Sequence, residues 1–154
     1  AQKKFNIEEI ALIVAIYPAV WGLGQLVTGK MADLFSKKKM LFWGMLMQGI
    51  ALLFFAFANS FMHYASLSVI LGIGTALVYP TFLATVAENT HPHDRAKSLG
   101  VFRLWRDLGY AIGAILTGVL VDFFNIETAI LAIACLTIFS AIFIAVRMEN
   151  KLKE

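Results

Sequence analysis

The sequence predicts an all-α fold, a polytopic membrane helical bundle of five transmembrane helices, and three observations carry that prediction. Sixty per cent of the residues are hydrophobic and 15% are charged, with a mean hydropathy of +0.77, whereas soluble domains average about 45–50% apolar and about 25% charged. The apolar residues fall into five runs, each near the roughly 20 residues a helix needs to cross the hydrocarbon core. The basic residues are gathered between those runs, and almost all of them on alternate connections. A chain of 154 residues organised in this way is a single membrane domain, because connections this short hold no soluble one.

The first helix is expected near residues 8–31. Residues 10–29 carry no charge, Asn6 and Glu9 have the spacing of a capping box, and Pro18 is placed to kink the helix. The second, near 40–61, lies in an uncharged run over 40–62. The third, near 64–88, contains Pro80, which membrane helices tolerate where neighbours satisfy the freed carbonyl. The fourth, near 97–122, differs in carrying Arg103, Arg106 and Asp107 in its first third. The fifth, near 126–147, follows a turn at Asp122-Phe123-Phe124-Asn125, where Asn125 can cap and Glu127 suits the positive helix N-terminus.

Five crossings put the termini on opposite sides. Eleven of the 13 basic residues fall on one side: Lys30, Lys37, Lys38, Lys39, Arg95, Lys97, Arg103, Arg106, Arg147, Lys151 and Lys153. Lys3 and Lys4 fall on the other. The positive-inside rule then places the N-terminus outside and the C-terminus in the cytoplasm, with the plasma membrane the expected location.

Several function classes lose support. The net charge of +3 is spread over short clusters with no continuous basic face, so nucleic acid is not an expected partner. Cys135 is the single cysteine, which excludes a disulfide framework. The first helix is too long for a signal-peptide core. No phosphate-cradling Gly-rich loop is present, and Ser68, Ser98 and Ser140 lack a nucleophile-elbow context. His91-Pro92-His93-Asp94 reads as a proline turn before the fourth helix, and no metal or other cofactor is expected. The chain is therefore not expected to be an enzyme. A non-transporting membrane scaffold or a membrane-embedded enzyme is the alternative to transport.

After the first helix comes Gly29-Lys30-Met31-Ala32-Asp33-Leu34-Phe35-Ser36-Lys37-Lys38-Lys39. This loop resembles the signature of major facilitator superfamily transporters, a Gly, an Asp four residues on and a basic cluster, although Ser36-Lys37 stands where that family usually has Gly-Arg. Physically, Gly29 would let helices approach, Asp33 would face the positive end of a neighbouring helix, and Lys37 and Lys38 would hold the loop at an anionic leaflet. A second stretch carries the resemblance further. Gly72-Ile73-Gly74-Thr75-Ala76, Tyr79-Pro80-Thr81 and the run from Phe102 to Ala114 are similar to helices ten and eleven of such transporters. The resemblance covers nearly the whole chain and implies helices eight to twelve of a twelve-helix protein, the C-terminal half lacking its first helix. Helices two to six are the rival register, because the two halves are related repeats. Its implied partners are a small-molecule solute, the lipid bilayer and the N-terminal half of the same transporter, and its implied activity is ion- or proton-coupled transport by alternating access.

In that family the helices matching the first, third and fourth face a central cavity. On the first, Tyr17, Trp21, Gly24, Gln25 and Thr28 share one face at 3.6 residues per turn. On the third, Ser68, Gly72, Thr75 and Tyr79 share a face; the fourth offers Arg103, Arg106, Asp107, Tyr110, Ala114 and Thr117. Tyr17, Trp21, Gln25, Thr75, Tyr79 and Tyr110 are the expected cavity residues. The second and fifth helices show no comparable stripe apart from Gln48. Gly109 and Gly113 have the spacing of a close helix contact. Intramembrane charges are costly unless partnered, and Arg103 stands one turn before Asp107, so an Arg103–Asp107 ion pair is expected, with a gate or proton-coupling role for Asp107 as the alternative.

Overall fold

The computed structural model describes residues 5–149, apart from the side chain of Asp33, and Lys3, Lys4, Lys151 and Lys153 lie outside them. Five helices follow in order: α1 (Ile7–Leu34), α2 (Lys37–Phe55), α3 (Phe61–Glu88), α4 (Arg95–Phe123) and α5 (Ile126–Arg147). A short 3₁₀ turn, Pro92–Asp94, precedes α4. Each of the five is long and apolar enough to cross a membrane.

Local chemistry explains most of the boundaries. Asn6 Oδ1 accepts from the Glu9 amide at 2.8 Å while the Asn6 amide donates to Glu9 Oε2 at 3.0 Å, so the capping box forms and two orphan donors are satisfied. Asn125 Oδ1 likewise accepts from the Thr128 amide at 2.7 Å and starts α5. The second helix departs from expectation at both ends, running 37–55 where 40–61 was predicted. Lys37, Lys38 and Lys39 form its first turn. At its far end the amides of Phe57 and Ala58 turn back onto the carbonyls of Phe54 and Phe55, and Asn59 Nδ2 donates to the Phe57 carbonyl. The apolar run gave no sign of this stop, since Phe57 and Ala58 suit a membrane helix as well as a turn.

The third helix is the centre of the bundle. It packs against α1 on one side and α2 on the other; α2 carries α5 on its far side, and α4 rests lightly on α5 and α3. Glycine makes the α2–α3 contact possible. A Cβ at Gly74 would stand 2.8 Å from the Gly44 carbonyl oxygen, and one at Gly44 would stand 2.9 Å from the Gly74 carbonyl oxygen, so the two backbones touch. Small residues give membrane helices this approach, where dispersion replaces hydrophobic driving force.

Proline sets up a second contact. Pro80 has no N–H, so the Ala76 carbonyl one turn earlier loses its helical donor. Thr28 Oγ1, on α1, donates to that carbonyl at 2.6 Å from a site where Thr28 is 6% exposed. This corrects the expectation that Thr28 faces a cavity: with Gly24, which abuts Ala76, it forms the α1–α3 seam. Thr28→Val keeps the shape and removes the donor, so it is expected to lower stability by about 1–2 kcal/mol. Thermal unfolding in detergent checks this, and Thr28→Ser should retain most of the wild-type midpoint.

Two other expected glycine contacts are not made among the described residues. A Cβ at Gly29, Gly109 or Gly113 would meet no atom within 4 Å among the described residues. Gly29 lies beyond the α1–α3 seam, and Gly109 and Gly113 lie on α4, no residue of which is buried.

Candidate functional site

The fourth helix leans away from α1 and α3, and the space left between them is a cavity of about 660 Å³. Tyr17 and Trp21 come from α1, Gln48 from α2, Thr75, Tyr79 and Phe82 from α3, and Phe102, Trp105, Arg106 and Tyr110 from α4. Five of the six expected cavity residues meet here. Gln25, one turn beyond Trp21, does not line it.

The wall is an aromatic lattice. The Tyr17 and Trp21 rings stack at 6.2 Å, and Trp21 meets the Tyr79 ring edge-on at 6.1 Å, both inside the range of favourable ring pairs. Phe82 and Phe102 close the α3–α4 corner at 5.8 Å. Polar groups thread through it. Tyr17 Oη donates to Thr75 Oγ1 at 3.4 Å, and Thr75 Oγ1 donates back to the Leu71 carbonyl at 2.9 Å. The indole Nε1 of Trp21 is enclosed and has no acceptor among the described residues.

Charge enters through one side chain. Arg106 Nη1 donates to Tyr79 Oη at 3.0 Å, and the guanidinium carbon lies 5.4 Å from the centroid of the same ring, within cation–π reach. Its Nε donates to Asp107 Oδ1 at 2.9 Å, and Nη2 stands 2.8 Å from that oxygen. The expected Arg103–Asp107 pair is therefore absent: among the described residues Arg103 makes no ion pair, and it is exposed. The physical reason is the anchor on α3. Tyr79 holds one end of the guanidinium and leaves its Nε–Nη2 edge turned to the neighbouring carboxylate, while nothing holds Arg103. Side-chain exposure is 24% for Arg106 and 60% for Asp107, so the pair sits at the cavity edge and not in a sealed core.

In the loop motif one lysine finds a partner within the bundle. Lys37 Nζ contacts Glu88 Oε1 at 2.6 Å, joining the start of α2 to the end of α3. Lys37 therefore pairs within the protein, and Lys38 beside it is half-buried. The role expected of Asp33 depends on a side chain outside the described residues.

Sequence reasoning missed Phe82, Phe102 and Trp105, and admitted Gln48 only as an exception. Helical spacing did hold a signal: Phe82 is three residues after Tyr79, and Phe102 and Tyr110 flank Arg106 by four on either side. They were passed over because Phe and Trp are unremarkable in an apolar run.

A sequence model of the Major Facilitator Superfamily matches residues 2–153. The chain belongs to that superfamily. Its curated relatives include the inner membrane transport protein YnfM of Escherichia coli, 26% identical over 132 residues, covering 86% of this chain and 32% of that protein. An uncharacterized MFS-type transporter of Methanocaldococcus jannaschii is 26% identical over 153 residues, covering 95% of this chain and 39% of that protein. Among solved structures, a crystal structure of the peptide transporter POT in complex with alafosfalin superposes with a TM-score of 0.78 at 20% identity, covering 94% of this chain and 31% of that one. That likeness concerns the fold. The chain spans about a third of the length of these transporters.

Proposed function

We propose that these five helices are helices eight to twelve of a secondary active transporter that moves a small solute by alternating access, driven by an ion or proton gradient. The observation that carries this is a cavity in which four helices place aromatic walls, hydroxyl groups and one anchored arginine. Alternating-access carriers bind near the midplane between two related halves, and a cavity open on one side of this bundle offers half of such a site. The other half would come from the N-terminal helices of the same protein, which would also cover the open face of α4 and supply an acceptor to Trp21. The combination of apolar area and a few fixed polar groups is that of a small-molecule site.

The test is flux into proteoliposomes containing the full-length transporter, with a panel of sugars, aromatic amphiphiles and organic anions under imposed pH and sodium gradients. Gradient-dependent uptake of one of these classes is expected; absence of protein-dependent flux for every class would sink the proposal. Liposomes holding only this 154-residue chain should match the empty control, because half the cavity is missing.

Orientation follows from the distribution of basic residues, with the N-terminus outside and the C-terminus cytoplasmic. A cysteine at position 38, made by Lys38→Cys with Cys135 replaced by Ala, should resist impermeant thiol reagents in intact cells and react after permeabilisation. Labelling in intact cells would reverse the topology.

A further inference from the structure

The cavity between α1, α3 and α4 takes its charge from one side chain: among the described residues Arg106 lines it, and no Asp, Glu or Lys does. A guanidinium has five N–H donors. Nε and Nη2 of Arg106 both meet a single oxygen, Asp107 Oδ1, and Nη1 donates to Tyr79 Oη. One N–H on each terminal nitrogen is therefore left without an acceptor among the described residues. Tyr79 Oη accepts from Arg106 and has its own O–H still to give. By contrast, Tyr17 donates to Thr75 Oγ1 and Thr75 to the Leu71 carbonyl, so those two hydroxyls are engaged. Unengaged donors thus gather at Arg106, and the carboxylate that balances it stands at the cavity edge, 60% exposed and outside the lining. A cation would meet no counter-charge in this wall; an anion meets charged donors that lack an acceptor.

The rings divide in the same way. Tyr17, Trp21 and Tyr79 pack on one another. Trp105 and Tyr110, which line the cavity from α4, are 68% and 67% exposed and pair with no other ring among the described residues. They flank Arg106 in sequence, one just before it and one a turn beyond. Two rings without a partner beside a cationic donor set suit a flat aromatic body that ends in an anionic group. The cavity volume of about 660 Å³ falls within the roughly 300–1,000 Å³ of small-molecule sites.

We infer that this cavity takes aromatic carboxylates, with the carboxylate on the unengaged N–H groups of Arg106 and on Tyr79 Oη, and the ring against Trp105 and Tyr110. The inference names the solute class of the transport site proposed above and rests on that reading, so binding is measured apart from flux. The full-length transporter in detergent is titrated with naphthoate, naphthamide, naphthylmethylammonium and decalin carboxylate, and its thermal unfolding midpoint is followed. Naphthoate should raise the midpoint saturably and the ammonium should not. Naphthamide should bind about tenfold more weakly than naphthoate, since it loses the charge-assisted bonds. Decalin carboxylate should bind about threefold to tenfold more weakly, since it keeps the charge and loses the ring contacts. Arg106→Gln should bring naphthoate down to naphthamide, and Trp105→Leu should bring it down to decalin carboxylate. Arg103→Gln, on the same helix but outside the cavity, should change neither ratio. Should the Arg106→Gln protein elute as aggregate, Arg106→Lys replaces it, with a partial loss confined to the acids and naphthamide unaffected. The inference is overturned if the wild type binds naphthoate no better than naphthamide or decalin carboxylate, or if a folded Arg106→Gln protein still prefers the acid. Flux of a sugar or an ammonium solute without naphthoate binding would uphold transport and overturn this inference. Naphthoate binding with no flux of any solute would uphold the inference and sink the transport proposal.

Discussion

In the transporter proposed above, replacing Arg106 by Ala is expected to lower solute flux about 10-fold to 100-fold, since hydrogen bonds from a charged group contribute about 1.5–3 kcal/mol. Arg106 ties α4 to the cavity wall through Tyr79 Oη at 3.0 Å and the Tyr79 ring. Tyr79→Phe should show a smaller loss, because it removes the hydroxyl and keeps the ring. Arg103→Ala should be close to neutral. The same solute measured across the three variants decides the matter: equal losses at 103 and 106 would mean that general positive charge, and not the Tyr79 anchor, is what the transporter uses. Asp107→Asn extends the test. With its partner neutralised Arg106 keeps only the Tyr79 contact, and a modest fall in unfolding midpoint is expected, discounted for the 60% exposure of the carboxylate. Partial recovery in the Asp107→Asn, Arg106→Gln double variant would support a structural pair. A normally stable Asp107→Asn protein whose flux no longer depends on pH would assign the carboxylate to proton exchange instead.

The largest effect on folding is expected at the α2–α3 crossing. Gly74→Leu places a side chain where even a Cβ stands 2.8 Å from both the Gly44 carbonyl oxygen and Gln48 Cγ. Neither helix can yield without separating, so a loss of about 3 kcal/mol or more is expected. The readout is a collapse of the monodisperse fraction on gel filtration. Gly113→Ala makes an informative companion, because none of the described helices lies against that position. Destabilisation there would reveal a helix from outside this chain packed on α4, and a Gly74→Leu protein with a wild-type elution profile would refute the crossing.

The helices were legible in the sequence because uncharged runs and capping residues are local signals. Asn6 with Glu9, and Asn125 at α5, state their boundaries within four residues. The end of α2 was not legible, since the turn at 56–60 is held by backbone bonds that place no demand on residue type. Tyr17, Trp21, Thr75, Tyr79 and Tyr110 could be grouped by helical face. Faces alone did not reveal that Thr28 and Gly24 belong to a helix contact and not to the cavity, which depends on how closely α1 approaches α3. The partner of Asp107 was hidden for a similar reason. An i to i+4 rule treats α4 as an isolated helix, whereas Arg106 is oriented by a residue 27 positions away.

A proline in a transporter helix invites a hinge, because the chain is weakest where a hydrogen bond is missing. In α3 that gap is bridged from another helix: the Ala76 carbonyl opposite Pro80 is held by Thr28 of α1. The proline therefore works as a rivet. Any flexing of α3 at this level has either to break a buried bond or to carry α1 along, so the α1–α3 pair is built to tilt as one rigid plate. Relative motion is left to α4, the helix that the rest of the bundle holds least.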